Sequence, residues 1–183
     1  MTFDAHFKTD IILDRDGVIN LDSDEYVKTI DEWIPIESSI EAIALLHKSG
    51  YRVFVATNQS GISRGYYSVE TLKAMHQKML GLVDLAGGFI TDIAFCPHSP
   101  DDNCDCRKPK AGLLTSLADT NDIALNQSIV IGDSLRDLDS AILVGAKPML
   151  VLTGNGKKTQ HDNPNLNLPT FENLYDAVKS ILT

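Results

Sequence analysis

Five short apolar segments alternate with segments of helical periodicity, and this alternation constrains the fold of the 183-residue chain more than any other feature. The segments that we predict as strands are residues 11–13, 51–56, 90–95, 128–131 and 148–152. Strands that alternate with helices build parallel βαβ units, and the helices cover both faces of one sheet. The sequence therefore predicts a three-layer, Rossmann-like α/β fold with a mainly parallel central sheet. There is no internal repeat, so one domain over residues 1–183 is expected.

Local signals place the helices between these strands. Ser38 and Glu41 have the spacing of a capping box, which predicts that Ser38 caps a helix that stops at Gly50. Ser68 is predicted to cap a second helix that runs to about residue 86, and further helices are predicted at 111–118, 135–144 and 171–182. Residues 154–169 are predicted as a loop. We interpret its glycine-rich start as a flexible turn rather than a phosphate-binding loop, because no helix is expected after it.

Polar residues follow four of the predicted strands. They are Asp14 and Asp16, residues 57–61, Gly132 with Asp133, and a cysteine-bearing loop at 96–109. Parallel βαβ units are right-handed, so the carboxyl ends of the strands open on one edge, where ligands gather in such sheets. We therefore expect these four groups to share one site.

Asp14 and Asp16 stand at the tip of the first strand and on the loop just beyond it. Two carboxylates two residues apart can have different roles if their environments differ. One can act as a nucleophile held ionised by a cation, and the other can donate and accept a proton. The alternative is a strand end with solvated acids, since D-x-D is a common pattern.

Cys96, His98, Cys104 and Cys106 include all three cysteines of the chain. A set of three thiolates and one imidazole is typical of a closed tetrahedral zinc site, which is structural rather than catalytic. The spacing is not that of a zinc finger. The alternative is that reduced cysteines cluster here by chance, and a disulfide is not expected in a reducing compartment.

Composition excludes several classes of function. The net charge of −9 argues against nucleic-acid binding, which needs a basic face. No apolar run approaches the roughly 18 residues of a membrane span, and the N-terminal ten residues show no secretory signal. We therefore expect a cytoplasmic protein, monomeric, whose partner is a small molecule rather than a nucleic acid or a membrane.

The sequence DRDGVIN at residues 14–20 resembles motif I of the haloacid dehalogenase superfamily of phosphatases. The other three motifs are matched in order by Thr57 with Asn58, by Arg107-Lys108-Pro109, and by Gly132-Asp133 with Asp137. The resemblance covers nearly the whole chain. It implies a Mg²⁺-dependent phosphatase that works through an aspartyl-phosphate, and the lack of a large helical insert implies no substantial cap domain.

The resemblance also implies roles for individual residues. Asp14 would be the nucleophile and Asp16 the general acid and base. Thr57 would donate hydrogen bonds to phosphoryl oxygens, and Lys108 would neutralise the transferring phosphoryl group. Mg²⁺ would be held by Asp14, the main-chain carbonyl of Asp16 and Asp133. For Asp137, a solvated position on a helix and a role behind the metal ligands both stay open. The residues expected to contact substrate are Asn20, Asp22, Tyr26, Asn58, Gln59, Ser60 and Arg107.

Finer features narrow the expected substrate. TNQSGI, the following Arg64-Gly65 and the loop C-P-H-x5-C-D-C-R-K-P resemble the branch of the superfamily that removes the 7-phosphate of a heptose 1,7-bisphosphate, a precursor of lipopolysaccharide or of related nucleotide-heptoses. Histidinol-phosphate phosphatases share much of this pattern and stay open as the alternative. An inactive, zinc-stabilised binding protein is disfavoured, because none of the catalytic residue types is missing.

Overall fold

A single sheet of six parallel strands organises the chain. The computed structural model describes residues 9–183, so most of the N-terminal ten residues, in which no secretory signal is predicted, lie outside it. The strands run in the order β3-β2-β1-β4-β5-β6. This arrangement confirms the predicted α/β class. The strand bounds are β1 Asp10–Leu13, β2 Arg52–Asn58, β3 Asp92–Cys96, β4 Ile129–Gly132, β5 Lys147–Val151 and β6 Thr170–Phe171.

Helices cover both faces of this sheet. Strand residues alternate between the faces, so Ile11 and Leu13 pack into one apolar cluster with α1, α2 and α6, while Ile12 packs into another with α3 and α4. All three side chains are fully buried. No helix within residues 9–183 has the length and hydropathy needed to cross a membrane. The helices are α1 Glu37–Lys48, α2 Val69–Leu85, α3 Gly112–Asn121, α4 Leu135–Leu143, α5 Gly156–Asp162 and α6 Leu174–Leu182.

The central position of β1 sets the place of the site. Leu13 pairs with Val55 of β2 on one side and with Ile131 of β4 on the other. The backbone N–H of Asp14 then donates to the carbonyl of Ile131 at 3.0 Å, which holds Asp14 at the carboxyl edge beside the end of β4. Strand β2 continues to Asn58, two residues beyond its predicted end.

The start of α1 was predicted wrongly. The helix begins at Glu37 and its N-cap is Ile36, with no side-chain capping bond, so Ser38 does not cap it. Ile36 N–H donates to the carbonyl of Ile19, and the Ser39 hydroxyl donates to the carbonyl of Val18. These contacts with the loop after β1 fix where the helix starts and override the local capping signal.

The prediction of a loop over residues 154–169 was also wrong. A short helix, α5, occupies Gly156–Asp162, and β6 follows at Thr170–Phe171. The closing helix therefore starts at Leu174, where the side chain of Asn173 accepts the N–H of Asp176. The sequence of α5 is polar throughout and has no apolar periodicity, so its pattern gave no helical signal.

The two predicted serine caps can be compared directly. The hydroxyl of Ser68 accepts the N–H of Thr71 at 3.1 Å and caps α2, whereas Ser38 lies inside α1. We expect Ser68→Ala to lower the free energy of unfolding by about 1 kcal/mol, because a cap is lost. Ser38→Ala should change it by less than about 0.5 kcal/mol. Urea unfolding of both variants and the wild type measures the difference, and equal losses would contradict the assignment of the caps.

Candidate active site

A polar cavity of about 350 Å³ opens at the carboxyl ends of β1, β2 and β4. It collects residues from all four predicted polar groups, including Arg107 and Lys108 from the cysteine-bearing loop, so the expected convergence is present. Two predicted residues, Asn20 and Thr57, are fully buried and do not line it. The predicted residues that line the cavity are Asp14, Asp16, Asp22, Tyr26, Asn58, Gln59, Ser60, Arg107, Lys108 and Asp133.

Lys108 is buried at the base of this cavity, between two carboxylates. Its Nζ lies 3.0 Å from Oδ1 of Asp14 and 2.6 Å from Oδ1 of Asp137, and it donates to the carbonyl of Ala56 at 2.7 Å. The other oxygen of Asp137 accepts from the N–H and the hydroxyl of Ser134. Asp137 is only 1% exposed, which rules out the solvated position, one of the two that the sequence left open. It holds Lys108, and Lys108 contacts Asp14.

Asp14, Asp133 and Asp137 form a cluster in which one carboxylate oxygen of each lies within 4.8 Å of the others. Burial, followed by the negative charge of Asp137, raises the pKa of Asp14 to about 7, although Lys108 opposes the rise. Burial and the two neighbouring acids raise the pKa of Asp133 to about 8. Hard divalent cations such as Mg²⁺ prefer carboxylate oxygens, and a cation would relieve this repulsion. The donor set therefore fits Mg²⁺, with Asp14 and Asp133 as the carboxylates that Lys108 does not fully neutralise.

Two glycines make room for the carboxylate of Asp133. Gly17 has a φ of +79°, and a Cβ at either Gly17 or Gly154 would collide with that carboxylate. The N–H of Asn155 donates to Oδ2 of Asp133 at 2.7 Å, and the Asn155 side chain reaches Asp22. Sequence reasoning missed Asn155, because the loop that carries it was interpreted as a flexible turn.

Asp16 is held by donors on three sides. It accepts from Nη2 of Arg15 at 2.8 and 3.0 Å, from Nδ2 of Asn20 at 2.9 Å and from Nε2 of Gln59 at 2.7 Å. Burial acts to raise the pKa of Asp16, but Arg15 and these donors hold it below its ordinary value. Asn20 thus contacts Asp16 rather than the cavity, and the hydroxyl of Thr57 accepts a hydrogen bond from Gln59.

The backbone of the Lys108 loop is fixed by Asn58. Its Oδ1 accepts the N–H of Lys108 at 3.1 Å, and its Nδ2 donates to the carbonyl of Lys108 at 3.0 Å. The neighbouring Arg107 lines the cavity and donates to the carbonyl of His98. Arg64 and Arg136 also line the cavity and were not predicted as site residues. We call the guanidinium groups of Arg64, Arg107 and Arg136 the cationic wall of the cavity, and their charge suits an anionic substrate.

The cysteine loop brings its four predicted ligands together. The Sγ atoms of Cys96, Cys104 and Cys106 and Nδ1 of His98 are 3.1–3.6 Å apart where they contact. The three thiols are free. Ligand atoms at the corners of a zinc tetrahedron lie about 3.4–3.8 Å apart for the usual bond lengths. The cluster therefore has nearly the size and the donor set that a structural zinc site requires.

The comparisons with known proteins agree with this geometry. A family model described as HAD-hydrolase-like matches residues 105–177. The crystal structure of D,D-heptose 1,7-bisphosphate phosphatase from B. bronchiseptica, complexed with magnesium and phosphate, superposes with a TM-score of 0.92 at 44% identity and covers 96% of this chain and 98% of its own. The fold and the site thus define a HAD-like hydrolase.

Curated relatives are closer still in sequence. The D-glycero-beta-D-manno-heptose-1,7-bisphosphate 7-phosphatase of Pseudomonas putida is 55% identical over 149 residues, which is 81% of this chain and 85% of that protein. The enzyme of the same name from Neisseria meningitidis is 52% identical over 170 residues, 92% of this chain and 89% of that protein. The chain belongs to the family of the D-glycero-beta-D-manno-heptose-1,7-bisphosphate 7-phosphatases.

A buried histidine lies behind Asp16 and was not predicted as part of the site. Nε2 of His76 is 3.4 Å from Nη1 of Arg15, and the histidine is 7% exposed. Burial, together with the positive charge of Arg15, lowers the pKa of His76 from 6.5 to about 4. The imidazole is therefore neutral at neutral pH and can accept from Arg15.

This shift predicts an acid-dependent loss of stability. Between pH 6.5 and about 4 the unfolded chain binds a proton at His76 that the folded protein does not, so stability falls as the pH drops through this range. We expect His76→Gln, which stays neutral, to lose less stability than the wild type between about pH 7.5 and pH 5. Urea unfolding at both pH values measures the change. His161→Gln is the control, since His161 is exposed on α5. If His76→Gln lost as much stability as the wild type between the two pH values, His76 would not be the group responsible for the loss.

Proposed function

We propose that this chain is a Mg²⁺-dependent phosphatase that hydrolyses the 7-phosphate ester of D-glycero-beta-D-manno-heptose 1,7-bisphosphate. The observation that carries the reaction is the meeting of Asp14, Asp16 and Lys108 in one cavity. The names of the relatives at 52–55% identity support the substrate and its beta anomer, which the sequence alone leaves open.

The reaction follows from the two carboxylates. In the first step an oxygen of Asp14 forms a bond to phosphorus while the bond between phosphorus and the ester oxygen breaks. The electron pair of that bond leaves with the alkoxide, which takes a proton from Asp16. In the second step Asp16 takes a proton from water, the water oxygen bonds to phosphorus, and the bond to Asp14 breaks. Phosphate is released and both carboxyl groups return to their starting states.

Lys108 and the metal ligands support this chemistry electrostatically. When bound, Mg²⁺ supplies positive charge that offsets the repulsion between an anionic nucleophile and an anionic ester. We infer that Asp14, Asp133 and the main-chain carbonyl of Asp16 hold it. Lys108, whose Nζ is 3.0 Å from Asp14, orients that carboxylate and adds charge next to the transferring phosphoryl group.

The substrate contacts are assigned by position in the cavity. Asp22 and Tyr26 come from the loop after β1, and Arg107 stands on the cationic wall, where we propose that it receives the second phosphate. Asn20 and Thr57 support the site from behind, through Asp16 and Gln59. We propose that Gln59 and Ser60, which also line the cavity, contact the phosphoryl group.

The remaining expectations for the whole chain are also proposals. Among residues 9–183, no helix interrupts the stretch 14–36, which supports an open site without a substantial cap. We infer one domain over residues 1–183 that works as a monomer in the cytoplasm, where it supplies a precursor of lipopolysaccharide or of a related nucleotide-heptose. Size-exclusion chromatography of the purified protein tests the monomer, and elution as a dimer would contradict it.

The nucleophile and the substrate are tested together. Asp14→Asn should abolish phosphate release because an amide does not form the acyl phosphate, and Asp16→Asn should slow release by about 10²–10⁴-fold. For the wild type, we expect kcat/KM to be higher for the heptose 1,7-bisphosphate than for the heptose 7-phosphate, which lacks the second anion, or for histidinol phosphate. Phosphate release measured over this panel gives the ranking.

Asp24→Asn is the matched control, since Asp24 is an exposed acid that does not line the active-site cavity. Near-normal turnover by Asp14→Asn would contradict the mechanism. A preference for histidinol phosphate would contradict the substrate while leaving the mechanism intact.

The proposed structural zinc predicts a different response from the catalytic metal. Brief treatment with EDTA should abolish activity, and Mg²⁺ alone should restore it while about one zinc per chain remains. Cys104→Ser should lower zinc content and melting temperature together, because metal binding contributes folding free energy. Elemental analysis and thermal unfolding measure both. Asp101→Asn, an exposed change in the same loop, is the control, and a zinc-free wild type that melts like Cys104→Ser would contradict the site.

A further inference from the structure

Tyr67 stands behind Asp16 and reaches it through one intervening side chain. The Tyr67 hydroxyl donates to Oε1 of Gln59 at 2.6 Å, and Nε2 of Gln59 donates to Oδ2 of Asp16 at 2.7 Å. Gln59 is 3% exposed, so neither of these two hydrogen bonds competes freely with water. The chain from Tyr67 to Asp16 is therefore a continuous and largely desolvated set of short hydrogen bonds.

The direction of this chain is fixed by Arg15. Its Nη2 lies 3.3 Å from Oε1 of Gln59, and a guanidinium group can only donate. The oxygen of the Gln59 amide must therefore face Arg15 and Tyr67, which leaves the NH₂ group facing Asp16 and Thr57. Tyr67 contributes the shorter of the two hydrogen bonds that hold the amide in this orientation.

The position of Tyr67 is itself set by close packing. A Cβ at Gly61 would collide with the Tyr67 ring, so the ring lies directly on the backbone of the loop that carries Gln59. Tyr67 immediately precedes Ser68, the N-cap of α2. Burial raises the pKa of the Tyr67 hydroxyl to about 12, so it remains a donor throughout the neutral range. The fold thus delivers a fixed donor to Oε1 of Gln59.

We propose that Tyr67 is a positioning residue for proton transfer by Asp16, and that it acts through Gln59 rather than by contact with the sugar. The inference rests on the proposed function, in which Asp16 gives its proton to the leaving oxygen. Without the Tyr67 hydroxyl, Oε1 of Gln59 keeps only the longer hydrogen bond from Arg15, at 3.3 Å. Asp16 then retains Arg15 and Asn20 but loses a fixed donor on its second oxygen.

This role predicts a dependence on the leaving group. A sugar alkoxide is strongly basic and needs the proton of Asp16, a phenolate needs it less, and p-nitrophenolate leaves as a stable anion. The constant kcat/KM covers only the steps through departure of this group, so the later hydrolysis of the aspartyl-phosphate does not mask the effect. Impaired proton donation should therefore lower kcat/KM in proportion to leaving-group basicity.

The experiment compares Tyr67→Phe with the wild type on the heptose bisphosphate, phenyl phosphate and p-nitrophenyl phosphate. We expect Tyr67→Phe to lower kcat/KM on the heptose bisphosphate by about tenfold, through kcat, with little change in KM. This loss is a part of the roughly 10²–10⁴-fold acceleration that general acid catalysis typically supplies. The loss should be smaller on phenyl phosphate and within about twofold on p-nitrophenyl phosphate. The two aryl esters have nearly the same shape, so their comparison isolates the leaving group.

Tyr66→Phe is the matched control. Its ring contacts Tyr26, and within residues 9–183 its hydroxyl makes no hydrogen bond, so activity on all three esters should be unchanged. Equal losses of Tyr67→Phe on all esters would show a merely structural role. A raised KM confined to the heptose bisphosphate, with both aryl esters unaffected, would show that Tyr67 contacts the sugar. Either result overturns the inference.

A double variant tests the route through Gln59. If Tyr67 acts through Gln59, then Gln59→Leu should produce the same leaving-group dependence, and adding Tyr67→Phe to it should cause little further loss. Additive losses would overturn the route.

Failure of the proposed substrate can be told apart from failure of this inference. A wild type that hydrolyses aryl phosphates but not the heptose bisphosphate would contradict the proposed substrate alone, and the comparison of the two aryl esters would still decide the role of Tyr67.

Discussion

Lys108 is the ammonium group on which the rest of the site depends. It is 3% exposed and lies within 3.0 Å of Asp14 and 2.6 Å of Asp137. Removing one partner of a buried ion pair leaves an uncompensated charge, which costs several kcal/mol. One ammonium nevertheless faces three carboxylates, because Asp133 belongs to the same cluster. The negative charge that Lys108 does not balance is what makes this edge of the sheet a place for a divalent cation.

Asp14 and Asp16 lie two residues apart but in different environments. Asp14 is buried and faces other carboxylates, so its pKa rises to about 7. Asp16 faces Arg15 and two amide donors, and its pKa falls below the ordinary value. A divalent cation bound at the cluster would favour the ionised form of Asp14, the proposed nucleophile. The carboxylate of Asp16 is oriented by the hydrogen bonds from Arg15, Gln59 and Asn20.

The sequence was sufficient for the alternation of the first five strands with their helices, the parallel sheet and the convergence of polar groups, because each rests on a local apolar pattern or on the geometry of βαβ units. It missed α5, whose residues are polar and show no apolar period. It was insufficient wherever a tertiary contact decided the outcome. The prediction that Ser38 caps α1 was wrong because contacts with the loop after β1 set the start of that helix. The burial of Asp137 depends on Lys108, which is 29 residues away along the chain. Asn155 and Tyr67 belong to no motif, and only the fold brings them to Asp133 and Asp16.

The proposed zinc site gives the position of Lys108 a physical cause beyond its own ion pairs. Cys96 ends β3 and pairs in register with Asn58 of β2, and Asn58 holds the N–H and the carbonyl of Lys108. Cys106 lies two residues before Lys108 on the same loop. A metal that joins Cys96 to Cys106 would therefore hold the loop against the end of β3. The neighbouring strand β2 carries Asn58, which bonds the backbone of Lys108. The loop has little apolar core of its own, so metal ligation would add to the contacts from Asn58 and Asp137 that hold the ammonium group against Asp14.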